Sequence, residues 1–241
     1  MSPQKNLFFS RRKSEIERMK AIFLQTNTEV WVNADQVDTG AVLDRFTPTV
    51  LGVGYLGDDV TVDENGVRSR SYSVWKGMLE RCYGERELEA YKYCIVSEEF
   101  HNATYFKDWY ESQKGSCMND FQLDKDILSE GCKIYAEDTC VLVPKEINIF
   151  FANTGARTHS SYTNKDYPIG VSWCRSTKKF KSTYNNGGDK QLSYHDNEWS
   201  AFIAYKKAKE NRAKELAEKW RGQIDDRVYE KLMNYKVLLT D

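Results

Sequence analysis

Residues 122–153 read QLDKDILSEGCKIYAEDTCVLVPKEINIFFAN, and the architecture of the chain turns on how this stretch folds. Phe121, Leu123 and Asp124 form a short apolar and acidic strand at its start, and Ser129, Glu130 and Gly131 supply a turn. The run 139–143, TCVLV, is rich in β-formers and reads as the returning strand. Pro144 stands where a first helical residue is tolerated, so KEINIFF at 145–151 reads as a short helix. The order is strand, loop, strand, helix: a ββα unit. Such a unit can clamp one hard divalent cation between its first strand and its helix, which makes Asp124 and Asn148 the candidate oxygen ligands.

Working outward, composition sets the limits. A chain of 241 residues holds one large domain or about two to three small ones, and 40% hydrophobic residues can fill packed cores. With 35 basic against 36 acidic residues there is no global basic signature, which counts against a purely electrostatic nucleic-acid coat while local basic faces stay open. Six cysteines, Cys82, Cys94, Cys117, Cys132, Cys140 and Cys174, include no CxxC pair. Structural zinc is therefore not expected, and without a signal-peptide pattern the thiols point to a reducing, cytoplasmic compartment. No apolar run approaches the ~18 residues of a membrane span.

Residues 1–72 read as a β-rich accessory module. A basic opening (Lys5, Arg11, Arg12, Lys13) precedes two short strands, 22–24 and 29–33, joined at 26–28. GVGYLG at 52–57 lacks the order of a nucleotide loop and reads as a glycine-kinked strand, followed by a linker or hairpin tip at 58–66. The segment 73–153 holds a helix with Val74, Trp75, Met78, Leu79 and Cys82 at helical spacing and Ser73 as candidate N-cap, a second short helix on Tyr105, Phe106, Trp109 and Tyr110, and then the ββα unit. Lys76 and Arg81 lie off the apolar stripe. Residues 154–166 are a polar linker, in which the basic Arg157 can track a DNA backbone.

From 167 onward three period-2 strands are expected, 169–173, 179–184 and 191–194, with turns at 176–178 and 185–188. Asp196 or Asn197 caps a long helix to about Trp220, and a last amphipathic helix turns Ile224, Val228, Leu232 and Tyr235 back onto it. Three antiparallel strands on one helix leave one sheet face free, and a strand ribbon fits the DNA major groove. The fold class expected is α+β throughout.

Two resemblances follow from these residues. VWKGMLERCY (74–83), YCIVSEEF (93–100), FKDWY (106–110) and QLDKDIL (122–128), in that order and with the ββα stretch, resemble the HNH or ββα-metal nucleases, in particular phage-type homing endonucleases. The likeness covers about residues 48–152. It implies a magnesium ion held by Asp124 and Asn148 at a scissile phosphate. Lys125 stands where the family carries its general-base histidine, and Thr139 or Asp138 where it carries an asparagine; Lys125 and His101 are thus the candidate catalytic bases.

The second covers PIGVSWCRSTKKFKSTYNNGGDKQLSYHDNEWSAFIAYKKAKE (168–210), which resembles the Apetala-type, ethylene-response-factor DNA-binding domain. Carried over by position, the groove-facing residues are Ser172, Cys174, Ser176, Lys179, Lys181, Thr183, Asn185 and Gln191, with Arg175, Lys178 and Lys190 on phosphates. Where the family has several arginines and tryptophans, this chain has lysines and short polar side chains. Together the resemblances imply a protein of phage or mobile-element origin, acting on double-stranded DNA in a bacterial cytoplasm. Three functions are open: a magnesium-dependent endonuclease, a catalytically silent DNA-binding repressor or recruitment factor, and a protein-binding inhibitor on a nuclease scaffold.

Overall fold

The computed structural model of the chain describes residues 7–11, 18–39, 42–58, 63–64, 67–86, 88–129, 131–152, 167–185 and 190–239. The linker 154–166, with Arg157, and the turn 186–189 lie outside the described residues. The fold is mixed α+β, and it divides into two compact units, Met1–Tyr110 and Glu111–Asp241. The division falls inside the 73–153 segment, so the tryptophan-bearing helix groups with the N-terminal strands and the ββα unit with the C-terminal sheet.

In the first unit β1 (Leu7–Arg11), β2 (Arg18–Phe23) and β3 (Thr28–Asn33) form an antiparallel sheet in that order, continued by α1 (Ala34–Asp38). β4 (Asp63–Glu64) and β5 (Val67–Arg68) make a short hairpin ahead of α2 (Arg70–Tyr83). The N-cap of α2 is Ser69, which accepts from the Tyr72 N–H, rather than the expected Ser73, so the helix begins one turn earlier. β6 (Ile95–Val96), α3 (Glu98–His101) and α4 (Ala103–Ser112) follow. Trp75, Met78, Leu79, Phe100 and Phe106 are fully buried, and Trp75 Nε1 donates to the Phe100 carbonyl at 2.7 Å. GVGYLG is a turn closed by a Val50–Gly54 bridge, not a kinked strand. Gly54 is obligatory there, because a Cβ would stand 2.5 Å from Leu79 and 2.8 Å from Trp75.

The second unit opens with β7 (Phe121–Asp124), β8 (Ile134–Tyr135), β9 (Val141–Pro144) and α5 (Lys145–Ala152). β7 and β9 pair antiparallel, Phe121 opposite Pro144 and Asp124 opposite Val141. Pro144 therefore ends the strand and the helix starts at Lys145. β10 (Val171–Cys174), β11 (Lys179–Asn185) and β12 (Lys190–His195) form an antiparallel sheet on α6 (Glu198–Lys219). Asn197 caps α6, its side chain accepting from the Ser200 N–H at 2.8 Å. Ala201, Phe202, Tyr205, Lys209, Ala213, Leu216 and Ala217 make the buried stripe of α6. Val171 and Tyr184 meet this stripe from the sheet, and Val237 closes the cluster. Gly170, at φ +75, lets the chain pass against Tyr205, where a Cβ would lie 2.1 Å from the ring. α7 (Asp226–Met233) packs on α6 with Val228 and Leu232 fully buried.

Candidate functional site

The first candidate is the ββα unit. Asp124 is half-buried at the end of β7, and its Oδ1 accepts the backbone N–H groups of Asp126 and Ile127, each at 2.8 Å. Burial raises its pKa against the opposing pull of those two N–H groups. Asn148, on α5, donates its amide to Gln122 Oε1 at 3.0 Å. Gln122 precedes Asp124 by two residues on the same strand face, which puts the two contacts about 7 Å apart along the strand. The two expected ligands are thus engaged by separate partners. Among the described residues, no three His, Cys, Asp or Glu side chains converge as a metal site. Asp124 Oδ1 is taken by the two N–H groups and Asn148 Nδ2 by Gln122, so a magnesium ion held here would meet Asp124 Oδ2 and Asn148 Oδ1.

Lys125 is only 2% exposed. Its ammonium donates to Asp126 Oδ1 and to the Cys132 carbonyl at 3.3 Å, and it lies 5.6 Å from the centre of the Tyr135 ring. Alternation explains the placement: with Asp124 caught by the turn, the next side chain goes inward under the loop. A buried lysine bonded to Asp126 and to the Cys132 carbonyl ties residues 125 and 132 together. Thr139, the expected counterpart of the family's asparagine, bonds locally instead, donating to the Ile134 carbonyl and accepting from the Ala136 N–H. His101 belongs to the first unit, where Nε2 lies 3.4 Å from the Tyr83 hydroxyl and burial lowers its pKa against the fields of Glu98 and Glu99.

The second candidate is the sheet β10–β12. Register sorts its side chains into two faces: Val171 opposite Ser182, Trp173 opposite Phe180, and Ser182 opposite Ser193 share the helix side with Tyr184. Ser172 opposite Lys181, Cys174 opposite Lys179, Lys181 opposite Tyr194, and Thr183 opposite Leu192 occupy the other. Lys179, Asn185, Leu192 and Tyr194 are exposed there, and Lys179 makes a 3.0 Å ion pair with Asp196 beyond the strand end. Arg175, Ser176 and Lys178 are exposed in the β10–β11 turn, with Lys178 in the left-handed region at φ 52. Lys190 stands opposite Asn185, in register with the outer set. Gln191 stands opposite Tyr184. Leu192 and Tyr194 take the outer positions on that strand. Sequence reading missed them, although the period-2 pattern of the strand contains them.

The Cys174 thiol lies 3.2 Å from the Ser176 hydroxyl, and hydrogen bonds from Ser176 and Thr177 bring its pKa down to about 6. Cys140 is the opposite case, a fully buried thiol whose pKa is pushed up to about 12 by burial.

A third feature carries no motif. Glu146 of α5 is met by Arg212 at 3.0 Å, by Lys219, and by Trp220 Nε1 at 2.7 Å. Residues 66 and 74 positions apart in the chain are thereby joined, and the ββα unit is fastened to α6. Comparison with known proteins returns no matching family, no matching curated protein and no matching solved structure.

Proposed function

We propose that the chain is a duplex-DNA-binding protein that reads its target with the outer face of β10–β12, and that its ββα unit is a silent, structural relative of an HNH-type nuclease core. The observation that carries this reading is the alternation of the sheet. Its inner face is spent on α6, and its outer face presents Lys179 and Lys181 among Ser172, Cys174, Asn185, Leu192 and Tyr194, with no carboxylate among these described strand positions. Lysines supply phosphate contacts, short polar side chains hydrogen-bond base edges, and an apolar side chain such as Leu192 suits a thymine methyl. Arg175 and Lys178 extend the basic edge at the turn. The silent reading is favoured over the endonuclease because Lys125, at the place of the family's general base, is buried and bonded to Asp126 and the Cys132 carbonyl.

The test is a fluorescence-anisotropy titration of the full chain with labelled duplex over a range of salt. Substituting Lys179 and Lys181 by Ala should lower the affinity and flatten the log–log salt dependence by roughly 2, at ~0.9 for each phosphate no longer neutralised. Unchanged affinity and slope would remove this face from the account. The full chain is the right sample, because a fragment starting at 167 loses the Glu146 anchor of α6.

A further inference from the structure

Between α5, the ends of β10 and β11, and α6, the second unit contains a cleft of about 930 Å³. Its size falls within the range of small-molecule sites, and it shares only Thr183 and Asn185 with the outer strand positions of the sheet. The walls mix aromatic rings (Phe150, Tyr184, Tyr205, Trp220) with four cations (Lys145, Lys209, Arg212, Lys219) against two carboxylates, Asp120 and Glu146. Glu146 is already neutralised by Arg212 and Lys219. Lys209 is 1% exposed, its ammonium 5.8 Å from the centres of the Phe150 and Tyr205 rings. The cleft is therefore electropositive with flat apolar walls.

Two lining residues also hold buried polar atoms without a hydrogen-bond partner, Thr183 Oγ1 and Arg212 Nε. Arg212 uses its two terminal nitrogens on Glu146 and Glu215, which leaves Nε in want of an acceptor. An unsatisfied buried donor destabilises the wall that carries it, and an anion that draws it into a hydrogen bond relieves that cost. We infer that this cleft binds a planar aromatic anion of nucleotide size, a nucleoside 5′-monophosphate, with the base between the aromatic walls and the phosphate toward Lys145 and Arg212. The same chemistry is presented by a free nucleotide and by an unpaired nucleotide of a strand.

Calorimetric titration of the full chain with adenosine and guanosine 5′-monophosphates, with adenosine, and with inorganic phosphate tests the assignment. The monophosphates should bind, with nucleoside and phosphate each weaker by about tenfold or more, because each lacks one of the two recognised groups. Two variants of exposed lining residues separate binding from folding. Lys145→Glu should weaken the monophosphate by about tenfold and the nucleoside much less, and Ile149→Trp should block both by filling the mouth, with an unchanged melting temperature. Displacement by a short single-stranded oligonucleotide marks a strand residue as the occupant, and its failure marks a free nucleotide. No monophosphate binding at millimolar concentration, or binding that neither variant alters, overturns the proposal. Duplex titrations on the same preparations keep the outcome separate from that of the sheet face.

Discussion

Replacing Lys125 distinguishes a phosphate-binding or catalytic lysine from a structural one. Lys125→Ala removes three buried methylenes, worth ~0.8 kcal/mol each, and leaves a cavity beneath the loop. It also deprives the Cys132 carbonyl of a donor, at about 1 kcal/mol, whereas the ion pair to the largely exposed Asp126 contributes little. The expected loss is about 3 kcal/mol. Lys125→Met keeps the stem and removes the ammonium, so the lost hydrogen bond is offset by charge desolvation no longer incurred, and stability should stay within about 1 kcal/mol. Urea denaturation followed by tryptophan fluorescence reads both values, with duplex affinity measured in parallel under conditions where each variant is folded. Duplex affinity should be unchanged in both. A Lys125→Ala variant that keeps its stability but binds every duplex more weakly would refute the structural assignment and restore the lysine to the phosphate.

Two further outcomes follow from the same geometry. Burial raises the Asp124 pKa above that of the unfolded chain, so ionisation costs stability as pH rises from the ordinary carboxylate range through the folded value; Asp124→Asn should gain relative to the parent in thermal melts as pH rises above the ordinary carboxylate range, with no change in DNA integrity in the presence of magnesium. For Glu146, burial is outweighed by Lys219, Trp220 and Arg212, and the pKa falls; its stabilisation is present above the ordinary carboxylate range and lost as pH drops through the lowered value, so Glu146→Gln should melt lower at neutral pH and converge with the parent in acid.

Local signals carried much of the fold. The turn-flanked β-run 139–143 and the apolar spacing of 145–151 foretold the β7–β9 pairing and α5, and the Asn197 cap with its Ala-rich run foretold α6. Boundaries moved where competing chemistry was local: Ser69 outdid Ser73 as a cap, and Pro144 served the strand because its missing N–H is tolerated at a two-stranded edge. The site was less legible. Motif spacing fixes which residues stand in a row, but not that Asp124 spends its oxygen on the Asp126 and Ile127 N–H groups or that Lys125 turns under the loop. The Glu146 cluster and the cleft draw on residues far apart in sequence, each of an ordinary type, and no periodicity announces such a meeting.

Cysteine footprinting addresses the central claim most directly, because Cys174 sits in the outer face opposite Lys179, and Cys117, exposed and outside the three strands, serves as the reference. Near neutral pH the Cys174 thiol, with its pKa lowered to about 6, is largely thiolate and should be alkylated rapidly, while Cys140, at about 12, is inert. With saturating duplex, peptide mass spectrometry should show labelling of Cys174 slowed several-fold and that of Cys117 unchanged. Equal labelling of Cys174 with and without bound duplex would contradict the account.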